Sequence, residues 1–288
     1  MNSTPDIGLV FCGGGGRGAY QIGVWQALRE LGTDRLVSCV SGTSVGALNA
    51  ALFACGDLEL AEGLWTKLRQ EDIADPAETA GRVISGVLNF LGSEERQFTI
   101  PDPDRAARAG LFSRHGLISL IDENGVNRCV SGCGTPCFAC CHNTVTGSAE
   151  YFDLSAYSPS EITEYLTAST AIPAVFPAKE IGGVVYRDGG LSDNTPIKPL
   201  YDIGCRRFII SYLGNIAADL SMFPDADFVE LFPSDGIFLG KSEGRFIKAG
   251  TLDFDGENAA LRMELGRRET LEYLSSPTGT FFRNRLLE

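Results

Sequence analysis

A serine with the surroundings of a nucleophile lies near the amino-terminal end of the chain, in the run Gly42-Thr43-Ser44-Val45-Gly46. The residues before it, Leu36–Val40, are strand-like, and Ser44–Cys55 has the character of a helix. In such a G-x-S-x-G elbow a sharp turn lifts the serine hydroxyl out of the sheet, and the helix N-terminus favours developing negative charge. The pattern indicates Ser44 as a candidate nucleophile, although an ordinary strand-to-helix turn can contain the same five residues.

A serine hydroxyl needs a base, and the positions of the histidines argue against a histidine in that role. The chain has two histidines, His115 and His142. A triad of the α/β-hydrolase type runs in the order Ser, Asp or Glu, His, and no histidine follows the best late acid, Asp188. This aspartate ends an apolar run and precedes Gly189-Gly190. Because ligands bind where the carboxyl ends of parallel strands meet, we predict that Asp188 lies beside Ser44 and is its base.

Six residues between the first strand and the first helix, Gly13-Gly14-Gly15-Gly16-Arg17-Gly18, could bind an anion. Glycines let the backbone approach a ligand closely, and free N–H groups at a helix start attract negative charge. The dinucleotide-binding fingerprint has a similar run, but it also wants an acidic residue at the end of the second strand. That strand ends Cys39-Val40-Ser41-Gly42, without a carboxylate. A protein that binds a phosphate or nucleotide at this loop is the alternative from a different functional class.

The elements that must position these residues alternate along the chain. A strand, a turn and a helix occur twice in succession, first at Ile7–Cys12 and Arg17–Leu31, then at Leu36–Val40 and Ser44–Cys55. Two such units indicate a parallel sheet. We predict a three-layer α/β/α sandwich with a mostly parallel central sheet. Further strands are predicted at Cys137–Val145, Glu150–Leu154, Val184–Asp188, Arg207–Leu213 and Phe228–Leu231, and further helices within 58–122, at Ser160–Ser169 with Ser160 as N-cap, and at Glu257–Leu274.

No linker or repeat divides the chain. We therefore predict that residues 1–288 form a single domain, since a chain of this length fits one large α/β unit. Its motif core spans about 7–204, and the C-terminal strands and closing helix lie in 205–288.

The amino-acid composition argues against several classes of protein. Its 288 residues are 44% apolar, enough for a large core, and carry a net charge of −13. The acidic balance argues against nucleic acid as a partner, since phosphate neutralisation needs clustered Lys and Arg. The sequence contains no transmembrane run and no basic segment of a secretory signal. We expect a cytoplasmic protein that can contact membranes peripherally.

Five of the nine cysteines lie with His142 in the stretch 129–142. Thiolate and imidazole are zinc ligands, so a zinc site is one interpretation, but the spacing is not that of a C-x-x-C pair of pairs. A disulfide is a second interpretation. We favour reduced thiols that pack as small apolar side chains, in a reducing cytosol, and extend this to the remaining cysteines, Cys12, Cys39, Cys55 and Cys205. We expect neither a metal nor a cofactor.

Together, the motifs resemble those of the patatin-like phospholipases, a family of lipid acyl hydrolases with a Ser–Asp dyad. The resemblance extends from about Ile7 to Gly204, with a looser similarity near Gly266, and the cysteine-rich stretch 129–142 departs from it. The matching segments are the glycine-rich motif Gly13–Gly18, the elbow Gly42–Gly46, the segment Ala168–Pro177, the D-G-G motif Asp188–Gly190, and Asn194-Thr195-Pro196.

This resemblance implies a mechanism and a substrate. Ser44 would attack an ester carbonyl and Asp188 would take its proton. The N–H groups of Gly14, Gly15 and Gly16 would hold the oxyanion, with Arg17 helping to fix the loop. The substrate would be a phospholipid, a lysophospholipid or another fatty-acyl ester, and a general carboxylesterase or acyltransferase with the same dyad is the alternative among enzymes. Two apolar stretches, Val83–Leu91 and Gly236–Gly240, could line an acyl groove or belong to the core.

Overall fold

The chain folds around a central sheet in the computed structural model, which describes residues 7–68, 120–173, 175–239, 250–251, 253–280 and 284. Val83–Leu91, His115 and Gly240 lie outside the described residues. The strands are β1 (Ile7–Phe11), β2 (Val37–Thr43), β3 (Cys137–Asn143), β4 (Ser148–Asp153), β5 (Lys179–Ile181), β6 (Val184–Asp188), β7 (Arg207–Ser211) and β8 (Asp227–Leu231). The helices are α1 (Ala19–Glu30), α2 (Val45–Cys55), α3 (Leu58–Lys67), α4 (Val126–Val130), α5 (Pro159–Ser169), α6 (Lys198–Asp202) and α7 (Gly256–Ser275).

The described strands follow one another in the order β5-β6-β3-β2-β1-β7-β8, and β4 pairs with β3 outside this path. The pairs β1–β2, β1–β7, β2–β3 and β7–β8 are parallel. The pairs β3–β4, β3–β6 and β5–β6 are antiparallel. The predicted mostly parallel sheet is confirmed, and its antiparallel strands lie together at one side.

Alternating residues of β1 show how the sheet is covered on both faces. Leu9 and Phe11 are buried in the larger core with side chains of α1, α2, α3 and α7. Val10 is buried in a second core on the opposite face, where Leu200 of α6 also packs. Successive side chains of a strand point to opposite faces, so the sheet lies between two helical layers. The predicted three-layer arrangement is confirmed.

The C-terminal helix α7 packs against α1 at two glycines. A Cβ at Gly23 would overlap the carbonyl oxygen of Met263, and one at Gly266 would overlap that of Tyr20. The two helices therefore approach closely where neither has a side chain. Among the described residues, no helix combines the length and the apolar composition that crossing a bilayer requires. That these elements make residues 1–288 a single domain stays a prediction.

The start of α5 differs from the prediction by two residues. Ser158, not Ser160, is the N-cap, and its side chain forms a capping box with Glu161, the third residue of the helix. Pro159 occupies the first helical position, where a missing N–H is harmless. The short elements α4, β5 and α6 were not predicted, since three to five residues are too few to show a period.

The direction of β6 corrects the sequence argument about Asp188. We expected parallel strands with their carboxyl ends at a shared edge, but β6 runs antiparallel to β3. One edge of β3 is occupied by β4 along Phe138–Asn143. The other edge pairs with β2 up to Cys140 and with β6 from Cys141 onward. The carboxyl ends of β2 and β6 therefore meet head-on along the same edge of β3.

The prediction of reduced thiols is wrong for two of the cysteines. Cys55, at the end of α2, is paired in a disulfide with Cys129 of α4, 74 residues further along the chain. The other seven cysteines are free. Structural disulfides are typical of oxidising compartments, so the cysteine content no longer supports a reducing cytosol.

Candidate active site

Ser44 lies at the turn between β2 and α2 in a strained backbone conformation. It is the only non-glycine residue with positive φ in the described parts of the chain, at φ 56° and ψ −127°. Such a conformation costs on the order of 1–3 kcal/mol and persists only when its surroundings enforce it. The side chain is 6% exposed. The structure thus has the sharp turn that the G-x-S-x-G pattern predicts.

Close backbone contacts explain why the elbow has glycine at positions 42 and 46. A Cβ at Gly42 would overlap the carbonyl oxygen of Gly46, and a Cβ at Gly46 would overlap that of Phe11 in β1. The strand, the turn and the neighbouring strand are therefore packed backbone to backbone. Any side chain at either position would open the turn that carries Ser44.

Asp188 ends β6 and is almost fully buried, at 6% exposure. Its Oδ1 accepts a hydrogen bond from the N–H of Gly190 at 2.8 Å, whereas Oδ2 has no hydrogen-bond partner among the described residues. Burial raises the pKa of Asp188 from 3.8 to about 6, and the nearby Ser44 hydroxyl and the Gly190 N–H partly offset that rise. The Ser44 hydroxyl is thus close enough to favour the carboxylate, although no full hydrogen bond joins them. Such catalytic contacts often tighten only when substrate binds.

The turn after Asp188 packs directly on β3. A Cβ at Gly189 would overlap the carbonyl oxygen of Cys140. A Cβ at Gly190 would stand 3.1 Å from Oδ1 of Asp188 and 3.2 Å from Oδ1 of Asn194, closer than an ordinary van der Waals contact. The D-G-G sequence therefore lets the chain turn tightly at the end of β6 while keeping one carboxylate oxygen bonded.

The glycine-rich loop lies against both the elbow and the segment that follows Asp188. A Cβ at Gly13 would be 3.3 Å from Cβ of Ser44 and 2.5 Å from Oδ1 of Asn194. Gly13 and Asn194 also bond twice, through the Gly13 N–H to the Asn194 carbonyl (3.4 Å) and the Asn194 amide to the Gly13 carbonyl (3.3 Å). The loop, Ser44 and the Asp188 segment are therefore adjacent.

The three glycine N–H groups expected to hold an oxyanion are not equivalent. The N–H of Gly16 donates to the carbonyl oxygen of Thr251 at 2.9 Å. That carbonyl also occupies the space a side chain of Gly15 would need. The N–H groups of Gly14 and Gly15 have no acceptor among the described residues. The backbone N–H groups of Gly14 and Gly15 therefore remain as candidate oxyanion donors, whereas that of Gly16 already has an acceptor.

Two arginines hold the outer side of this loop. Arg17 donates from Nε to the carbonyl oxygen of Gly14 at 3.1 Å. Arg262 of α7 is fully buried, donates to the carbonyls of Ile237 and Leu239 and pairs with Asp253 at 2.7 Å. Burial, helped by the charge of Arg262, lowers the pKa of Arg17 to about 10, so Arg17 stays protonated at neutral pH.

A buried polar network supports the loop from the side of the helices. Gln21 donates to the carbonyl of Cys12 (2.8 Å), the residue after β1, and to that of Ser211 (3.2 Å), the last residue of β7. Asn49 donates to the carbonyl of Gly18 and to Gln21, and its own oxygen accepts from the indole of Trp65. The side chains of Gln21, Asn49 and Trp65 are thus all hydrogen-bonded, as buried polar groups require. The sequence analysis missed it, because single polar residues on helices carry no local signal.

His142 is not part of the site. In β3 it pairs with Arg187, and Cys141 pairs with Asp188. Because side chains alternate along a strand, His142 and Asp188 point to opposite faces of the sheet. Its Nδ1 is in hydrogen-bond contact with Ser192. Burial and the neighbouring Arg187 lower the pKa of His142, so its neutral form is favoured.

The cysteine-rich stretch consists mainly of buried thiols. Cys137, Cys140 and Cys141 are free and buried, and burial raises the pKa of each thiol. Such thiols stay protonated and unreactive. In the described parts of the chain, no three His, Cys, Asp or Glu side chains come together as a metal-binding group.

A strained serine at a strand-to-helix elbow, a buried carboxylate beside it and a glycine-rich loop on an α/β/α sheet define an α/β protein with a serine–carboxylate site. The family model of the patatin-like phospholipases matches residues 9–201. The chain belongs to this family. The match includes the glycine-rich loop, the elbow and Asp188.

Curated relatives agree with the family assignment. The chain is 29% identical over 210 residues to lysophospholipase NTE1 of Cryptococcus neoformans, covering 73% of this chain and 11% of that protein. It is 26% identical over 223 residues to the mouse patatin-like phospholipase domain-containing protein 7, covering 76% of this chain and 14% of the other. An uncharacterized NTE family protein of Mycobacterium bovis is 28% identical over 201 residues, covering 69% and 46%. The chain thus spans about a tenth of the NTE1 lysophospholipase and less than half of the mycobacterial relative.

Proposed function

We propose that the protein is a serine lipid acyl hydrolase that cleaves fatty-acyl esters of phospholipids or lysophospholipids, with Ser44 as nucleophile and Asp188 as base. The observation that supports the dyad most directly is the head-on meeting of β2 and β6 along one edge of β3. It brings the elbow close to a buried carboxylate whose Oδ2 has no hydrogen-bond partner among the described residues. The lysophospholipase names of the fungal relatives support the substrate class.

The first half of the reaction forms an acyl-enzyme. Oγ of Ser44 attacks the ester carbonyl carbon while its proton passes to Oδ2 of Asp188. The tetrahedral intermediate then collapses, and the leaving alcohol takes the proton from Asp188. A pKa raised to about 6 suits this exchange, since a base works best when its pKa is near the working pH.

The second half restores the enzyme. Water attacks the acyl-enzyme with Asp188 again as base, and the fatty acid leaves as Ser44 recovers its proton. In both halves the negative charge on the carbonyl oxygen is stabilised by the N–H groups of Gly14 and Gly15, which have no other acceptor among the described residues. One such donor is worth on the order of 10²–10³ in turnover.

The test compares Ser44→Ala, Asp188→Asn and His142→Ala with wild-type protein on a long-chain lysophospholipid. We expect the first two variants to lose activity by about 10⁴-fold or more, because members of a catalytic unit are not independent. His142→Ala is the matched control and should keep most activity, since its side chain points away from Asp188. Turnover is measured as fatty acid released, and a fluorophosphonate probe should label wild-type protein at Ser44.

Three results would contradict the proposal. Folded Ser44→Ala with substantial turnover would move the nucleophile elsewhere. A loss of several orders of magnitude in folded His142→Ala would replace the dyad by a histidine-dependent mechanism. Absence of both turnover and labelling in the wild type would favour the phosphate-binding alternative for the glycine loop.

A further inference from the structure

The hydroxyl of Ser169, at the end of α5, makes two hydrogen bonds at the centre of the site. It accepts the backbone N–H of Ser44 at 2.9 Å and donates to the carbonyl oxygen of Cys140 in β3 at 2.7 Å. Ser169 is completely buried, at 0% exposure. It is separated from Ser44 by 125 residues in sequence, so this contact exists only in the folded chain.

The two hydrogen bonds fix the direction of the hydroxyl. A hydroxyl has one proton and two acceptor lone pairs. Because the Cys140 carbonyl takes the proton, only the lone pairs of Oγ can face Ser44. The Ser44 N–H is therefore bound by an acceptor that is itself locked to the neighbouring strand.

The same segment also holds the proposed base. Two residues after Ser169, the carbonyl oxygen of Ala171 accepts the backbone N–H of Asp188 at 3.0 Å. The backbone N–H groups of Ser44 and Asp188 are thus bound by residues 169 and 171 of one short stretch. The relative position of the two side chains is set from the end of α5 as well as by the pairing of β2 and β6 with β3.

We propose that Ser169 is a positioning residue that holds the Ser44 backbone in its strained conformation and sets the approach of nucleophile to base. This proposal rests on the proposed function, because it assigns Ser169 a role in the same reaction. Ser44 adopts a conformation that an L-residue takes only under constraint. Without the Ser169 hydroxyl the buried N–H of Ser44 has no other acceptor among the described residues, and the turn can relax.

The expected consequence is a loss of rate rather than of substrate binding. A displacement of about 1 Å in a reacting group can cost on the order of 10²-fold in rate. The acyl chain and headgroup of a lipid do not contact Ser169, since it is fully buried beneath the elbow. Removal of its hydroxyl should therefore lower kcat and leave KM nearly unchanged.

The experiment measures kcat and KM for Ser169→Ala, Ser169→Thr and Thr167→Val on a long-chain lysophospholipid, together with fluorophosphonate labelling at Ser44. Thr167 is the matched control, because its buried hydroxyl lies in the same helix but bonds to the carbonyl of Thr163. We expect Ser169→Ala to lower kcat and the labelling rate in parallel by about 10- to 100-fold, with KM within about twofold. Ser169→Thr keeps the hydroxyl and should retain most of the wild-type kcat and labelling rate. Thr167→Val should resemble wild type.

Each outcome decides the proposal. If folded Ser169→Ala has wild-type kcat and labelling, or if Thr167→Val loses as much as Ser169→Ala, Ser169 has no special positioning role. If Ser169→Ala does not fold, Ser169→Cys replaces it, because a thiol fills the site but accepts hydrogen bonds weakly, and the same loss of kcat is expected. If wild-type protein is neither labelled at Ser44 nor active, the proposed function itself is wrong, and so is the role proposed for Ser169 in that reaction.

Discussion

At the scale of single residues, the site combines a strained serine with a carboxylate that is costly to ionise. Asp188 is 6% exposed, and its Oδ2 has no hydrogen-bond partner in the described structure. Burial therefore raises the pKa of Asp188 to about 6. A buried carboxylate with a raised pKa lowers the stability of the folded protein at neutral pH, and this cost can be measured as a difference in the free energy of unfolding.

We predict that Asp188→Asn stabilises the fold at pH 8 while abolishing activity. The folded state holds its proton up to about pH 6, whereas the unfolded chain releases it near pH 3.8. Stability is therefore lost as pH rises between these values. One pKa unit corresponds to about 1.4 kcal/mol. The free energy of unfolding of the variant should therefore exceed that of wild type by up to about 3 kcal/mol at pH 8 and by almost nothing at pH 4.

Denaturant unfolding of both proteins at the two pH values checks this prediction. The comparison is made at each pH separately, so that other titrating groups cancel. A variant that is less stable than wild type at pH 8 would show that Asp188 is not a buried carboxylate with a raised pKa. It would equally remove the basis for its role near neutral pH.

At the scale of elements, α2 connects the elbow to the rest of the helical layer. Its first residue follows Ser44, and its last residue, Cys55, is bonded to Cys129 of α4. The disulfide closes a loop of 74 residues. Cross-links of this length restrict the unfolded chain and contribute about 2–4 kcal/mol. The helix that follows Ser44 is therefore anchored at its far end by a covalent bond.

Reduction should lower the free energy of unfolding by about 2–4 kcal/mol. The double variant Cys55→Ala, Cys129→Ala should lose the same amount and no longer respond to reductant. Cys133→Ser, which removes a free thiol just beyond α4, is the control and should retain the response. Thiol titration of the denatured, unreduced protein should find seven thiols, and a count of nine would rule out the disulfide.

At the scale of the whole molecule, the net charge of −13 gives no attraction to anionic membranes. The proposed action on lipids therefore predicts that contact with a lipid surface comes from apolar side chains near the site. Ile216 is 82% exposed and lies in the loop after β7, two residues from Gly214, where a Cβ would be 3.8 Å from the Arg17 guanidinium. A side chain so exposed beside the glycine-rich loop is available to enter a lipid surface.

We expect Ile216→Asp to lower hydrolysis of zwitterionic phospholipid vesicles several-fold, because transferring an isoleucine out of water contributes about 1.5–3 kcal/mol. Hydrolysis of a short soluble ester should be unchanged, since the substitution leaves the proposed dyad intact. Ile203→Asp is the control, because Ile203 is also exposed but lies before the amino end of β7, whereas Ile216 follows its carboxyl end. Equal losses on vesicles and soluble ester, or equal losses in both variants, would contradict a role for Ile216 in membrane contact.

The sequence by itself determined the features that depend on residues close to one another along the chain. The elbow, the glycine-rich loop and the Asp188-Gly189-Gly190 turn were predicted because tight turns and close backbone contacts demand particular residues at fixed spacing. The alternation of strands and helices likewise predicted the layered, mostly parallel sheet. These signals are local, so they can be read without knowing which distant residues meet.

Only the tertiary structure decided how those parts are brought together. The antiparallel direction of β6 comes from pairing with β3, and the occupied N–H of Gly16 from a carbonyl at Thr251. The acceptor for Ser44 is supplied by Ser169 from 125 residues away, and the disulfide joins cysteines 74 residues apart. No propensity or spacing encodes such contacts, since their partners are chosen by packing of the whole chain. The sequence predicts which residues could react, and the fold determines the backbone contacts that hold them in place.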